Sequence, residues 1–212
     1  MEILDPGRGV LPPLPSPDYA DKSVLLASGS PRRRELLHLI VPEFGIAEPR
    51  EIDEKYPSGL APEEVPVYLS RLKASAYRDE LHKNEVLITA DTVVILDGCI
   101  LGKPHSKDEA RDMLRRLCGR THTVVTGVTL TSLEGKNSDS FSEHTRVTFS
   151  ELSDSEIDEY VERYRPLDKA GAYGIQEWFG AAGIRGIDGC FYNVMGLPLH
   201  ALYSHLRHFF ED

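Results

Sequence analysis

Apolar residues recur along the chain in two patterns, and the order of these patterns predicts a mixed α/β protein. Short apolar runs at 24–27 and 86–90 have the length of buried strands. Apolar residues with helical spacing occur at 36–40, 63–82, 110–117, 157–164 and 197–210. Two long alternating segments flank a Glu-Gly-Lys-Asn turn and predict an antiparallel strand pair at 121–133 and 141–149. Further short strands are expected at 41–46 and 191–194.

Turn and capping signals agree with this order of elements. Asp97-Gly98 stands between apolar segments and is typical of a β-hairpin. Ser106 and Ser153 are each followed three residues later by glutamate, which predicts two helix N-termini with capping boxes. Because strands and helices alternate early and antiparallel strands come late, we expect an α/β fold with two lobes. Its sheet should be mixed and partly antiparallel, with flanking helices.

Length and composition are those of a single globular domain. The chain has 212 residues, of which 41% are hydrophobic and 27% charged, enough for a sizeable core. Residues 1–22 are rich in proline and lack the charged and apolar regions of a signal peptide, so we expect a surface extension there. Residues 23–212 are expected to form one domain, because no linker long enough to separate independent domains divides them.

Charge and cysteine content narrow the range of partners. The net charge of −10 argues against nucleic-acid binding, which needs a basic surface. A small anionic ligand remains open where basic residues gather. No apolar run reaches the length of a membrane span, so no membrane partner is expected. The three cysteines form no paired motif, and we expect a reduced, cytoplasmic environment.

Three consecutive arginines stand where a helix is expected to begin. Ser30 suits the N-cap position and Pro31 the first helical position. Arg32, Arg33 and Arg34 then add positive charge to a helix end that is already partly positive, at a cost of roughly 0.3–1 kcal/mol each. A bound phosphate would compensate, because free backbone N–H groups and guanidinium groups both bind it. The alternative is a solvated basic face.

Asp91 is the acidic residue that the sequence favours most for chemistry. It is expected at the end of the apolar strand 86–90, and open α/β sheets bind ligands beyond the carboxyl ends of their strands. A carboxylate there can hold a divalent metal or accept a proton from water. An aspartate that starts a turn is the alternative. By position alone, a solvated charge is the favoured interpretation of Glu54, Lys73 and Lys103, although a glycine and a proline fix a loop around Lys103.

A late segment combines a charged pair, small residues and an amide. Residues 168–176 read Asp-Lys-Ala-Gly-Ala-Tyr-Gly-Ile-Gln. The small residues permit close approach of a ligand, and Gln176 offers an amide that can recognise a base edge. A structural loop with favourable turn residues is the alternative.

Five motifs in order resemble the Maf family of nucleoside triphosphate pyrophosphatases, also called septum formation inhibitors. The resemblance covers residues 25–206, nearly the whole chain apart from the N-terminal extension. The motifs are Ala27-Ser28-Gly29-Ser30-Pro31-Arg32-Arg33, Ala90-Asp91-Thr92-Val93-Val94, Gly102-Lys103-Pro104, the segment 168–176, and Asn193-Val194-Met195-Gly196-Leu197-Pro198-Leu199.

The resemblance implies a cleft between two lobes in which Mg²⁺ or Mn²⁺ assists hydrolysis of a nucleoside triphosphate to the monophosphate and pyrophosphate. Asp91 matches the catalytic acid, taken as the proton acceptor, and is a metal candidate together with Glu54. Residues expected around the phosphates are Ser28, Ser30, Arg33, Lys73 and Lys103. Positions linked to base choice are Arg32, Thr92 and Gln176, and further cleft candidates are Lys169 and Tyr173.

The residues linked to base choice are similar to the branch of the family that acts on dTTP and UTP, with modified pyrimidine nucleotides as a further option. Two alternatives stay open: the sister branch that prefers 7-methyl-GTP, and a non-catalytic nucleotide-binding regulator of cell division. The resemblance also suggests a homodimer. Whether Asp91 would serve as base, metal ligand or both is open as well.

Overall fold

The computed structural model describes residues 22–132 and 138–211. Nearly all of the predicted N-terminal extension, and the predicted turn at 134–137, lie outside the described residues. The strands are β1 (Ser23–Ala27), β2 (Gly45–Ile46), β3 (Glu85–Leu96), β4 (Cys99–Leu101), β5 (Thr121–Ser132), β6 (Ser138–Phe149) and β7 (Ile184–Asp188). The helices are α1 (Pro31–His38), α2 (Val65–Ser75), α3 (Lys107–Leu117), α4 (Asp154–Tyr164), α5 (Trp178–Gly183), α6 (Phe191–Met195) and α7 (Leu199–Glu211).

The strands form one mixed sheet in the order β2-β1-β3-β5-β6-β7, with β4 paired to β3. β1 runs parallel to β2 and β3, and every other pairing is antiparallel. The predicted mixed α/β fold is therefore confirmed. The Asp97-Gly98 hairpin is also present, with a positive φ at both residues as such a tight turn requires.

Hydrophobic packing divides one side of the sheet into two parts. Val86, Ile88 and Ala90 of β3 belong to a core cluster with α1 and α7. Val94 and Leu96, further along the same strand, belong to a second cluster with α3 and α4. Helix α2 packs on the other side of the sheet, against Val93 and Ile95 among others. The two clusters form the two lobes of the domain, and Thr92, between Ala90 and Val94 on this face of β3, lies at their boundary.

Strand β3 extends well beyond the apolar run 86–90 that the sequence indicates. Asp91 lies in its middle, opposite Gly127 of β5, and not at its end. The strand continues because residues 93–96 are apolar and pair with β5 and β4. The parallel neighbour β1 does end here, since Ala27 pairs with Thr89. Asp91 was expected at the end of its own strand, but it lies inside β3. It does lie beyond the carboxyl end of the neighbouring strand β1.

Three further predictions of local structure were wrong in part. Residues 191–194 form helix α6, which ends at Gly196 with a φ of 109°, and the last strand is instead Ile184–Asp188. The helix expected at 63–82 is shorter, because α2 ends at Ser75 and only a short 3₁₀ turn, Arg78–Glu80, follows. The strand expected at 41–46 is reduced to Gly45–Ile46.

Of the two predicted capping boxes, one is complete. Ser153 and Glu156 bond each other's backbone N–H groups at the start of α4. At the start of α3 the Ser106 side chain accepts from Glu109 N, but the Glu109 carboxylate accepts from His105 N instead of Ser106 N. In the part of the chain that the structure describes, no helix is both long and apolar enough to cross a membrane.

Candidate functional site

A cleft of about 760 Å³ opens where β1 ends and the two lobes meet. Helices, strands and the turn after β1 contribute part of its lining, namely Ser28, Ser30, Arg32, Arg33, Lys73, Asp91 and Thr92. Loops contribute the other part, which includes Glu54, Lys103, Lys169, Tyr173 and Gln176. The structure thus brings together every residue named as a site candidate, from segments up to 148 positions apart, whereas Arg34, the third arginine at the start of α1, does not line the cleft.

Asp91 and Lys73 form a largely buried ion pair in the cleft. Lys73 Nζ lies 2.7 Å from Asp91 Oδ1, and the two side chains are 15% and 13% exposed. Lys73 stands in the last turn of α2, which packs against β3 and so delivers the ammonium group to the middle of that strand. Glu54 Oε1 approaches the same Nζ at 3.1 Å. Two carboxylates from distant segments therefore converge on one cation.

This carboxylate pair is the part of the cleft that fits a divalent metal. Among residues 22–132 and 138–211, no group of three His, Cys, Asp or Glu residues could hold a metal ion. Mg²⁺, however, is usually bound by one or two carboxylates together with substrate phosphates and water. Asp91 and Glu54 already meet around a positive charge. They fit a metal that is bound together with a phosphate substrate.

Arg33 is bound into the protein by four hydrogen bonds. Its Nη1 donates to the Ala90 carbonyl at 2.9 Å and to Ser28 Oγ at 3.4 Å, and its Nε donates to the Gly196 carbonyl at 2.8 Å. Its Nη2 donates to Thr92 Oγ1 at 3.0 Å. Burial lowers the pKa of Arg33, and the charge of Asp91 opposes that shift. Most of its N–H groups thus hold the cleft together, which leaves it one N–H on Nη2 to offer a phosphate.

Arg32, one residue earlier, has a different environment. Its Nη1 donates to Asp168 Oδ2 at 2.6 Å. Asp168 also accepts from its neighbour Lys169, whose Nζ lies 2.8 Å from Oδ1. Burial alone would raise the pKa of Asp168, but the hydrogen bonds from Lys169 and Arg32 outweigh it and lower that pKa. Arg32 therefore joins helix α1 to the loop that carries Gln176.

The turn after β1 is fixed by a local hydrogen bond, and the loop of Lys103 by one to a distant segment. Ser28 Oγ accepts from Ser30 N at 3.2 Å. Ser30 occupies the N-cap of α1 as predicted, but its side chain makes no capping hydrogen bond. The Gly102 carbonyl next to Lys103 accepts from Gly171 N at 3.1 Å, which joins that loop to segment 168–176.

Tyr173 lines the cleft with its ring but directs its hydroxyl into the core. The hydroxyl group lies 2.8 Å from Nε2 of His122, a buried residue of β5. Burial raises the pKa of Tyr173 and lowers the pKa of His122 to about 4. The pair of Tyr173 and His122 thus supports segment 168–176 from the core side.

Asn193 opens one of the sequence motifs but was given no role, and the structure shows that it supports the cleft from within the core. Asn193 is fully buried and donates from Nδ2 to Val124 O and Thr145 Oγ1, and its main-chain carbonyl accepts from Thr126 Oγ1. Thr126 Oγ1 lies 2.9 Å from Thr92 Oγ1. No local signal marks a buried amide of this kind, because its partners lie on other strands.

Comparison with known proteins identifies what the chain is similar to. The model of the family described as Maf-like protein matches residues 23–209. Three relatives are each named dTTP/UTP pyrophosphatase. A protein of Phocaeicola vulgatus is 52% identical over 87% of this chain and 94% of its own length. A Porphyromonas gingivalis protein is 54% identical over 89% and 95%, and a Bacteroides thetaiotaomicron protein is 49% identical over 87% and 94%. Among solved structures, the Staphylococcus aureus Ham1 protein is 16% identical over 88% of this chain and 99% of its own, with a TM-score of 0.48.

Proposed function

The chain belongs to the family of Maf-like proteins, and from this membership we propose that it hydrolyses dTTP and UTP to the nucleoside monophosphate and pyrophosphate. The observation that carries the proposal is the convergence of Asp91, Lys73 and Glu54 in a cleft that all the sequence motifs line. Relatives about half identical to this chain are named for that activity.

The cleft offers a triphosphate both cations and backbone donors. Arg32, Lys103 and Lys169 line it together with the turn of small residues after β1. Guanidinium and ammonium groups bind phosphate oxygens, and the start of α1 adds its partial positive charge. The charge conflict that the arginines create at this helix end is thus relieved when an anion is bound.

In this proposal Asp91 acts as the proton acceptor. Water adds to the α-phosphorus, the bond from that phosphorus to the bridging oxygen breaks, and pyrophosphate leaves. The proton of the attacking water passes to the Asp91 carboxylate. Lys73 holds Oδ1 of that carboxylate in position, since β3 and α2 fix both backbones. Catalysis then depends mainly on placing groups and on neutralising charge that develops on the phosphates.

A divalent cation belongs to this proposal as the cofactor. Asp91 and Glu54 would hold Mg²⁺ or Mn²⁺ jointly with the substrate, and the ion would supply charge neutralisation at the phosphate oxygens. Removal of the ion with a chelator is expected to stop turnover, and addition of Mg²⁺ or Mn²⁺ to restore it.

A panel of triphosphates tests the function. The full chain is assayed with dTTP, UTP, CTP, GTP and 7-methyl-GTP, with pyrophosphate release as the readout. We expect the highest kcat/KM on dTTP and UTP. A preference for 7-methyl-GTP would place the protein in the sister branch. Nucleotide binding without pyrophosphate release from any member of the panel would favour the non-catalytic regulator.

The homodimer and the cytoplasmic location suggested by the sequence stay predictions within this proposal. Light scattering on the purified chain measures the first, and fractionation of cells that make the protein measures the second. We expect a mass of two chains and recovery in the cytoplasmic fraction.

A further inference from the structure

Tyr160 and Glu177 form the buried end of a hydrogen-bonded chain that reaches the cleft. Tyr160, on α4, donates its hydroxyl proton to Glu177 Oε2 at 2.5 Å, and Glu177 Oε1 lies 3.1 Å from Lys169 Nζ. Lys169 Nζ donates to Asp168 Oδ1 at 2.8 Å, and Asp168 Oδ2 accepts from Arg32 at 2.6 Å. Five side chains thus connect the core beneath α4 to Arg32 at the cleft.

The same tyrosine hydroxyl also closes the turn that presents Gln176. Glu177 N donates to the Gly174 carbonyl at 3.1 Å, which defines a four-residue turn with Gln176 in its third position. Gly174 N, at the other end of the turn, donates to Tyr160 Oη at 3.1 Å. One hydroxyl group therefore binds both ends of the turn.

Burial makes these contacts necessary. Tyr160 is only 1% exposed, and the Glu177 side chain is 17% exposed. A carboxylate removed from water is costly unless its oxygens are paired, and Tyr160 and Lys169 pair one oxygen each. Burial, followed by the Glu177 carboxylate, raises the pKa of Tyr160, so its hydroxyl keeps the proton that it donates.

The turn is also built to admit this carboxylate. A Cβ added to Gly174 would lie 2.7 Å from Glu177 Cδ, so glycine leaves the space that the carboxylate fills. Behind the turn, a Cβ on Gly180 of α5 would lie 1.7 Å from the Ile175 carbonyl oxygen, so the helix is in close contact with the turn backbone. Neither Tyr160 nor Glu177 lines the cleft itself.

We propose that Tyr160 and Glu177 are positioning residues that set base selectivity, because they hold the 174–177 turn and the Asp168–Lys169 pair in place. The inference rests on the proposed function. Both residues act through Gln176 and Arg32, and neither contacts the reacting phosphorus. Their loss should therefore weaken recognition of the base more than it slows the chemical step.

Tyr160→Phe removes the hydroxyl group and keeps the ring. One lost hydrogen bond to a carboxylate corresponds to a change of about tenfold. We expect the KM for dTTP and UTP to rise about tenfold, the KM for GTP to stay within about a factor of two, and kcat on dTTP to change by less than about threefold. Tyr164→Phe is the matched control, because Tyr164 stacks on Tyr160 from the same helix but is exposed. It should behave as wild type on all three nucleotides.

Glu177→Gln provides a second test should Tyr160→Phe fold poorly. It keeps the shape of the side chain and removes the charge that pairs with Lys169. It should shift the ratio of kcat/KM for dTTP to that for GTP in the same direction as Tyr160→Phe. If both variants fold, their double variant should lose little more selectivity than either single one, since both break the same chain of contacts.

Three outcomes are distinguished by these assays and by the affinity for an α,β-imido analogue of dTTP, measured by calorimetry. Weaker binding of the analogue with a changed dTTP/GTP ratio supports the inference. An equal loss on every nucleotide, or an unchanged ratio in the folded variants, overturns it and leaves the proposed function standing. If the wild-type chain cleaves none of the nucleotides, the proposed function fails and this inference fails with it.

Discussion

The two walls of the cleft are built in different ways. The strand wall consists of Asp91 and Thr92 on β3 with Lys73 on α2, and its backbone is fixed by the sheet and by a packed helix. The loop wall consists of residues 168–177. These residues contain one 3₁₀ turn, Ala170–Ala172, and end directly before α5. Its geometry depends on side-chain hydrogen bonds to Arg32 and Tyr160.

One fold can thus combine a fixed site for chemistry with an adjustable site for recognition. Groups proposed to meet the reacting phosphate lie where the main chain cannot shift without breaking the sheet. Groups proposed to choose the base lie on a loop whose position a few side chains determine. Changes in the strand wall should therefore alter turnover, and changes in the loop wall should alter selectivity.

The largest effect is expected from Asp91→Asn. The substitution removes the proposed proton acceptor while keeping its shape, and we expect kcat for dTTP to fall by about 10²–10⁴-fold. Pyrophosphate release at saturating dTTP measures it. Asp97→Asn, in the exposed turn at the end of the same strand, is the control and should retain wild-type activity. Similar activity in the two variants would remove Asp91 from the mechanism.

Arg33→Lys tests how much the hydrogen bonds of Arg33 to the strand wall and to Gly196 contribute to stability. Lysine cannot reproduce the fork that bonds Ala90, Thr92 and Gly196, so buried carbonyl groups lose donors. We expect the free energy of unfolding in urea to drop by about 2–3 kcal/mol. Arg32→Lys, one residue away, should change it by less than about 1 kcal/mol. An equal decrease in the free energy of unfolding in both variants would contradict this, because the two arginines would then contribute equally to stability.

His122, the buried partner of Tyr173 behind the loop wall, should make the stability of the protein depend on pH. Burial lowers its pKa to about 4, whereas the unfolded value is about 6.5. Between these values the unfolded chain binds a proton that the folded chain does not, so stability falls as pH falls through this range. The loss should reach about 2 kcal/mol at pH 5. His122→Gln should flatten that dependence in urea unfolding, and His200→Gln, at an exposed site, should leave it as in wild type. The same slope in all three proteins would contradict this.

The smallest effect is expected from Gln176→Ala. Loss of the amide should lower kcat/KM for dTTP and UTP about tenfold, and that for GTP much less, because hydrogen bonds to the pyrimidine base are lost. Steady-state kinetics on the three nucleotides measure the ratio. A uniform decrease on all of them would mean that the loop wall does not discriminate between bases.

The sequence was informative about the strand wall because its signals are local. An apolar run followed by Asp91-Thr92, and arginines massed at the start of α1, are visible within a few residues. Their contacts were less visible. Arg33 was predicted to face phosphate, but the acceptors that occupy most of its donors come from Ala90, Thr92 and Gly196, far along the chain.

The loop wall could be predicted only in part. Its small residues and Gln176 were noted, while its supports, Tyr160 and Glu177, were not. Tyr160 reads as one more apolar position of helix α4, and only the folded chain shows its hydroxyl beneath the turn. The helix at 191–195 was missed for a related reason. Its aromatic and β-branched residues favour a strand, but Asn193 is held by contacts to β5 and β6 that fix the helical turn.

One measurement addresses the central claim, that this cleft directs water to the α-phosphorus of a pyrimidine triphosphate. The full chain is incubated with dTTP in water enriched in ¹⁸O, and the products are followed by phosphorus NMR and mass spectrometry. The account predicts dTMP that carries one ¹⁸O atom, together with unlabelled pyrophosphate. Label in the pyrophosphate, or formation of dTDP and orthophosphate, would contradict it.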